Sequence, residues 1–265
     1  VVQSTAFVLQ KGYDPQTALF QPLGKDKTKE DHRTGTYYRL VDYRNNDEKE
    51  RHFLLNDNLH TNIYQRNFSK IPGSPIAYWV SADFIILFEG KCIKDLIEHK
   101  NGMSVNSEFV SDWHEVFFQD IGININSAEE NTKSGKTWFP LSKGGGFRKW
   151  YGNLNYVAKY GNNGEELKHF VTHNPSDPNT KHWSRRLINT EYHYKEAITW
   201  NKVSSVNICF RLVETGFIYA DAGPIIPSID YQMLGFLNSK VATTTLKLIN
   251  PTINYFTTDI GKLPY

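Results

Sequence analysis

Residues 138–152 read Trp-Phe-Pro-Leu-Ser-Lys-Gly-Gly-Gly-Phe-Arg-Lys-Trp-Tyr-Gly, and their types and spacing suit the binding of a phosphate. Gly144, Gly145 and Gly146 carry no side chain, so their backbone can approach an anion closely and offer its N–H groups. Lys143, Arg148 and Lys149 flank them with positive charge. Trp138, Trp150 and Tyr151 add rings that stack on a base or sugar, or anchor the loop to a core. Lys181-His182-Trp183-Ser184-Arg185-Arg186 repeats the combination, with cations around an indole. In Thr199-Trp200-Asn201-Lys202, Asn201 supplies an amide of the kind that pairs bidentately with adenine in a major groove.

Other groupings of reactive side chains are incomplete. Ser134-Gly135-Lys136-Thr137 imitates the end of a phosphate-binding P-loop, but Glu130 stands where that motif needs a glycine, and a capped helix rather than a strand is expected before it. His169 and His173 are four apart, with His182 further on, yet Asn174-Pro175 ends any helix there and no Cys or carboxylate completes a ligand set. They are expected to be surface histidines, and no metal site is assigned. Cys209 sits in apolar, strand-like sequence without an evident His or Asn partner, which argues against a nucleophile. Asp221, at a strand-to-turn exit in Tyr219-Ala220-Asp221-Ala222-Gly223-Pro224, suits a turn cap, or a contact to DNA or a partner. No catalytic residue is assigned.

The elements that must position these residues read as α+β, with mixed sheets and flanking helices. Thr5–Leu9 and Thr36–Tyr43 are strand-like, Gly24–Gly35 loops out, and Asp47–His60 is a short helix. Ser74 as N-cap and Pro75 as first helical residue predict a helix over Pro75–Phe88, with a domain junction in or just after it. Glu108–Phe118 reads as a strand, and Ser127-Ala128-Glu129-Glu130 as a capping box opening a short helix. Further strands are expected at Tyr156–Tyr160, Ala197–Val203, Asn207–Val213 and Gly216–Ala220, with a loop over His173–Trp183. Met233, Leu234, Leu237, Val241 and Leu248 space one helix over Ile229–Ile249, ended by Asn250-Pro251.

Composition narrows the class. At 265 residues, 39% hydrophobic and 22% charged, the chain suits one large globular domain or two ordinary ones, and no apolar run approaches the roughly 20 residues of a membrane span. Cys92 and Cys209, far apart, fit a reduced cytoplasmic protein. Val1–Leu9 has neither an initiator Met nor a secretory pattern and begins inside a strand-like segment, so the chain reads as a piece of something longer. The net charge of +2 hides an asymmetry: 14 Lys+Arg against 19 Asp+Glu to Thr132, 12 against 5 from Lys133 to Lys202, then 4 against 4. Four of six tryptophans lie in the basic segment, and clustered cations interleaved with aromatics are the footprint of a nucleic-acid surface or of a solvated basic face.

Several strings also resemble the C-terminal half of the PglX family, the adenine-specific DNA methyltransferases of bacterial BREX phage-defence systems. They are residues 1–9, Pro72-Gly73-Ser74-Pro75-Ile76-Ala77-Tyr78-Trp79-Val80-Ser81, Trp138–Asn153, Ala197-Ile198-Thr199-Trp200, Leu234–Ala242, Asn250-Pro251-Thr252 and Asp259–Pro264, in order over nearly the whole chain. The resemblance implies that the S-adenosylmethionine site and the Asn-Pro-Pro-Tyr motif lie upstream, since neither stands here; Asn174-Pro175-Ser176-Asp177 and Asn250-Pro251-Thr252-Ile253 lack the second proline and the aromatic. By the same resemblance, residues 1–82 are the tail of a methyltransferase core and 83–265 a target-recognition domain that binds double-stranded DNA. This chain alone is then inactive, with no cofactor of its own. Residues 101–106 and Gly146 depart from the family pattern, which carries a Gly-x-Ala-Thr-Gly-Asp-Asn-like loop and an acidic residue there. The expected DNA contacts are Lys143, Gly144, Gly145, Arg148, Lys149, Arg185 and Arg186 on phosphates, Trp150 and Tyr151 on sugar or base, and Asn201 and Lys202 as base readers. The expected partners are DNA, the catalytic core of the same parent chain and other BREX subunits. The alternative is a module docking a defence-complex subunit or an acidic DNA mimic on the same face.

Overall fold

The computed structural model describes residues 34–57 and 59–265, and shows an α+β protein with antiparallel and mixed sheets. The strand expected at Thr5–Leu9 and most of the loop expected at Gly24–Gly35 lie outside the described residues. Two compact units divide between Ile85 and Ile86. No helix among the described residues is long and apolar enough to cross a membrane.

In the first unit, β1 (Thr34–Tyr38) pairs antiparallel with β2 (Leu59–Tyr64), with α1 (Asn46–Leu54) between them in sequence. Strand β1 ends earlier than the expected Tyr43, because Leu40–Asp42 tightens into a 3₁₀ turn. Helix α1 ends earlier too: Asn56 turns left-handed at φ 54°, and the residues beyond join the sheet. The helix expected from Pro75 does not form there. Ser74 has φ 49°, whereas an N-cap needs extended backbone. Tyr78 stacks on Tyr37 at 4.8 Å and donates to the Tyr38 carbonyl at 2.8 Å, fixing a non-helical path. Ser81 opens the helix instead, accepting from the Phe84 N–H at 3.2 Å, and α2 (Ala82–Ile86) runs across the division.

The second unit holds a four-stranded sheet and a three-stranded sheet. The first has order β3-β5-β4-β8, with β3 (Val110–Asp112), β4 (Trp138–Ser142), β5 (Tyr156–Lys159) and β8 (Ile218–Tyr219); only the β4–β8 pair is parallel. The second is antiparallel, β7-β6-β9, from β6 (Ala197–Trp200), β7 (Phe210–Val213) and β9 (Ile225–Ile226). Strand β3 is much shorter than Glu108–Phe118 because Asp112 and Glu115 cap each other reciprocally and turn the chain into 3₁₀ structure. Ser127 does cap the next helix (Ala128–Ser134), accepting from the Glu130 N–H at 3.1 Å; the Glu130 carboxylate returns to the Asn126 N–H rather than to Ser127.

Apolar clusters hold these layers. Phe139, Leu141, Ala158 and Ile218 pack with Leu167 and Val171 from an unforeseen helix over Gly161–His173, whose first residues Asn162, Asn163 and Gly164 are left-handed. Ile198, Trp200 and Phe210 pack with Met233, Leu234, Leu237, Ala242 and Leu246. The single helix expected over Ile229–Ile249 is two, Tyr231–Leu237 and Lys240–Ile249. Asn238 breaks it. Its side chain accepts from the Phe210 N–H at 3.0 Å and donates to the Phe210 carbonyl at 2.9 Å, and Ser239 caps the second helix at the Ala242 N–H.

Candidate functional site

Residues 143–155 connect β4 to β5, two neighbouring strands that a tight turn would have joined. A connection that long between hairpin partners is where function is commonly carried. It leaves its own sheet and is held by several contacts. Gly144 is buried at φ 92°, with space for a Cβ closed by the Ala222 carbonyl oxygen at 2.9 Å. Asn201 donates its amide to the Gly145 carbonyl, and at 3.4 Å to that of Gly146. Asn153 donates to the Gly146 carbonyl at 2.7 Å. Trp150 attaches to β7 like a one-residue strand: its N–H donates to Phe210 at 3.0 Å, and its carbonyl accepts from Leu212 at 2.9 Å.

Trp150 holds φ 74°, a conformation costly for a residue with a Cβ, and the residue is still 53% exposed. Phe147 and Tyr151 are exposed beside it, as are Gly145, Gly146 and Arg148. The loop therefore presents aromatics and a cation outward on a backbone fixed from behind. Arg148 makes no ion pair or hydrogen bond among the described residues; its side chain lies across Gly152, where a Cβ would meet its Cδ at 2.9 Å. Lys143 sits over the Tyr156 ring at 5.1 Å.

The other expected contacts are placed differently. Lys149 donates to the Asn238 carbonyl at 2.7 Å, so it ties the loop to a helix end. Asn201 is 5% exposed and engaged at both ends of its amide, since its oxygen accepts from Arg211 Nη2 at 2.7 Å, so it anchors the loop. Lys202 pairs with Asp221 at 2.6 Å. Arg186 pairs with Asp177, whose carboxyl it holds below the usual range, and Arg185 reaches the Asn179 carbonyl at 3.3 Å. Several cations of the basic segment are thus engaged in intramolecular contacts, whereas Arg148 on the glycine loop is exposed.

Residues missed in the sequence complete the frame. Asn153, at φ 61°, and Arg211 both serve the loop. Arg211 is 1% exposed, with no carboxylate in ion-pair range among the described residues, and burial pushes its pKa down. A lone charge in the apolar run Ile208-Cys209-Phe210-Arg211-Leu212-Val213 was the signal that marked it.

The discarded motifs have structural explanations. Gly135 is the left-handed cap of the helix ending at Ser134, and Lys136 reaches the Gln119 carbonyl at 2.5 Å. His169 and His173 stack at 4.0 Å, and no group of metal-ligating side chains forms among the described residues. Both cysteines are free. The glycine run follows a strand but opens no helix, so it does not have the strand–loop–helix form of a nucleotide cradle.

No protein-family model matches the chain. Over its whole length it is 35% identical to the adenine-specific methyltransferase PglX of Lacticaseibacillus casei (strain Zhang) and 32% identical to the adenine-specific methyltransferase BrxX of Escherichia coli O9:H4 (strain HS). It spans only 21% and 20% of these relatives, so the resemblance noted from the short strings extends along the full chain but reaches about a fifth of theirs. Among solved structures, the type IIL restriction-modification enzyme MmeI in complex with DNA matches 66% of this chain and 24% of its own, at 14% identity and a TM-score of 0.40, too distant to bear on the site.

Proposed function

We propose that this chain performs DNA target recognition for an N6-adenine methyltransferase of a phage-defence system, with residues 83–265 as the recognition domain and residues 1–82 as the tail of the catalytic core. The observation that carries the reading is the connection over 143–155, which exposes Gly145, Gly146, Phe147, Arg148, Trp150 and Tyr151 on a backbone anchored from behind. Cations position such a surface on the phosphate backbone, and neighbouring rings supply contacts to sugar or base. The relatives' names and the division at Ile85/Ile86 support this reading. S-adenosylmethionine chemistry belongs, in this reading, to the parent protein in the cytoplasm.

Arg148 is the cleanest probe, because it has no structural partner among the described residues. Arg148→Ala should weaken binding to a duplex while leaving the melting temperature unchanged, and should flatten the dependence of log K on log salt by about one unit. Equal affinity and an equal slope would refute the assignment. Tight capture of an acidic DNA-mimic protein by a chain that ignores duplex DNA would favour the docking alternative instead.

A further inference from the structure

Arg211 raises a physical question. A guanidinium stays charged in a protein interior, and burying it without a counter-ion is costly. Here Nη2 donates to the Asn201 oxygen at 2.7 Å, Nη1 contacts Cys209 Sγ at 3.5 Å, and Nε has no partner. The charge is nonetheless not isolated from the surface. It polarises the Asn201 amide, whose nitrogen donates to the Gly145 and Gly146 carbonyls, making a chain of aligned dipoles from buried cation to exposed loop.

The peptide geometry fixes what the loop shows outward. There are no cis peptide bonds among the described residues, and in a trans peptide the C=O of one residue and the N–H of the next point in opposite directions. The Gly145 carbonyl turned toward Asn201 therefore sends the Gly146 N–H away from it. The Gly146 carbonyl, held by both Asn201 and Asn153, does the same for the Phe147 N–H. Neither amide has an acceptor among the described residues, and a Cβ built on Gly146 meets nothing within 4 Å. The exposed Arg148 follows directly.

The geometry points to one phosphodiester site on this loop: the Gly146 and Phe147 N–H groups and the Arg148 guanidinium hold a backbone phosphate, with Asn201 and Arg211 as positioning residues beneath. The phosphate supplies the negative charge that Arg211 lacks inside the protein. This rests on the DNA reading and deepens it, because it names the atoms that bind and the buried pair that orients them.

The test is a short random-sequence duplex titrated into the whole protein, followed by salt-dependent affinity and by the ¹⁵N-resolved amide signals of Gly146 and Phe147. Both amide protons should move downfield in the wild type as the duplex binds. Asn201→Asp keeps an acceptor for Arg211 but repels the two glycine carbonyls. Asn153→Gly suits the left-handed backbone and removes only the surface tie. The first should weaken binding about tenfold, the loss of roughly one charge-assisted hydrogen bond, and lower the salt slope by about one. The second should do so more weakly, with an unchanged melting temperature. If the wild type binds the duplex but the amide signals stay fixed, or if both variants retain the wild-type slope, the inference falls and the DNA reading stands. If the wild type does not bind the duplex at all, both fall. Should Asn201→Asp not fold, Asn153→Gly and the wild-type amide shifts decide the matter.

Discussion

Asn238→Ala removes one side chain from a buried junction, and its cost can be worked bond by bond. The Phe210 N–H has the Asn238 oxygen as its acceptor, so truncation leaves a buried donor with no partner, at about 1–3 kcal/mol. The Phe210 carbonyl loses the Asn238 amide but keeps the Trp150 N–H, and the Leu234 carbonyl loses the same amide at 3.2 Å but keeps the Asn238 backbone N–H, together a smaller loss of about 1 kcal/mol. The sum is roughly 3 kcal/mol, which for a unit of this size lowers the melting temperature by about 6–12 °C. Calorimetry of the wild type and the variant reads the difference. A melting temperature for Asn238→Ala within about 2 °C of wild type would refute the hydrogen-bond argument.

Two further outcomes follow from the same structure. Gly144→Ala must place a Cβ at φ 92° and 2.9 Å from the Ala222 carbonyl oxygen, and should cost about 1–3 kcal/mol in urea unfolding; Gly146→Ala, in open space, should stay within about 0.5 kcal/mol. His193 is buried, and desolvation pushes its pKa down from 6.5 to about 3. The unfolded state therefore binds the extra proton first: this residue costs nothing above pH 6.5, and stability is lost as pH falls from 6.5 toward 3. Between pH 7 and pH 5 the loss should be about 2 kcal/mol, and His193→Gln should remove it; parallel slopes for the two proteins in urea titrations at those pH values would contradict this.

Local signals were legible in the sequence, and long-range ones were not. Ser127 caps its helix because the acceptor and the N–H it satisfies are three residues apart. The strands Tyr156–Lys159 and Ala197–Trp200 followed from their apolar and β-branched residues. The Ile229–Ile249 helix was misread because Asn238 has its partner at Phe210, which spacing within the helix does not reveal. Pro75 failed as a helix start for a similar reason: Tyr78 is committed to Tyr37 and Tyr38, about forty positions away. At the site, residue types singled out the glycine loop, but Asn201, Lys149 and Lys202 have their contacts set by residues distant in sequence. Charge counting could not separate cations facing water from cations spent on carbonyls and carboxylates.

The attachment of Trp150 to β7 has a consequence for how this loop can change. Strand β7 is the outer strand of its sheet, and the Trp150 backbone occupies the Phe210 carbonyl and the Leu212 N–H that such a strand would otherwise offer to a second molecule. The loop is thus also a guard against edge-to-edge aggregation. Excising it to abolish binding would uncover a pairing edge, and the product should self-associate. The side chains of Phe147, Arg148 and Tyr151 take no part in that guard, so they can vary while the edge stays covered.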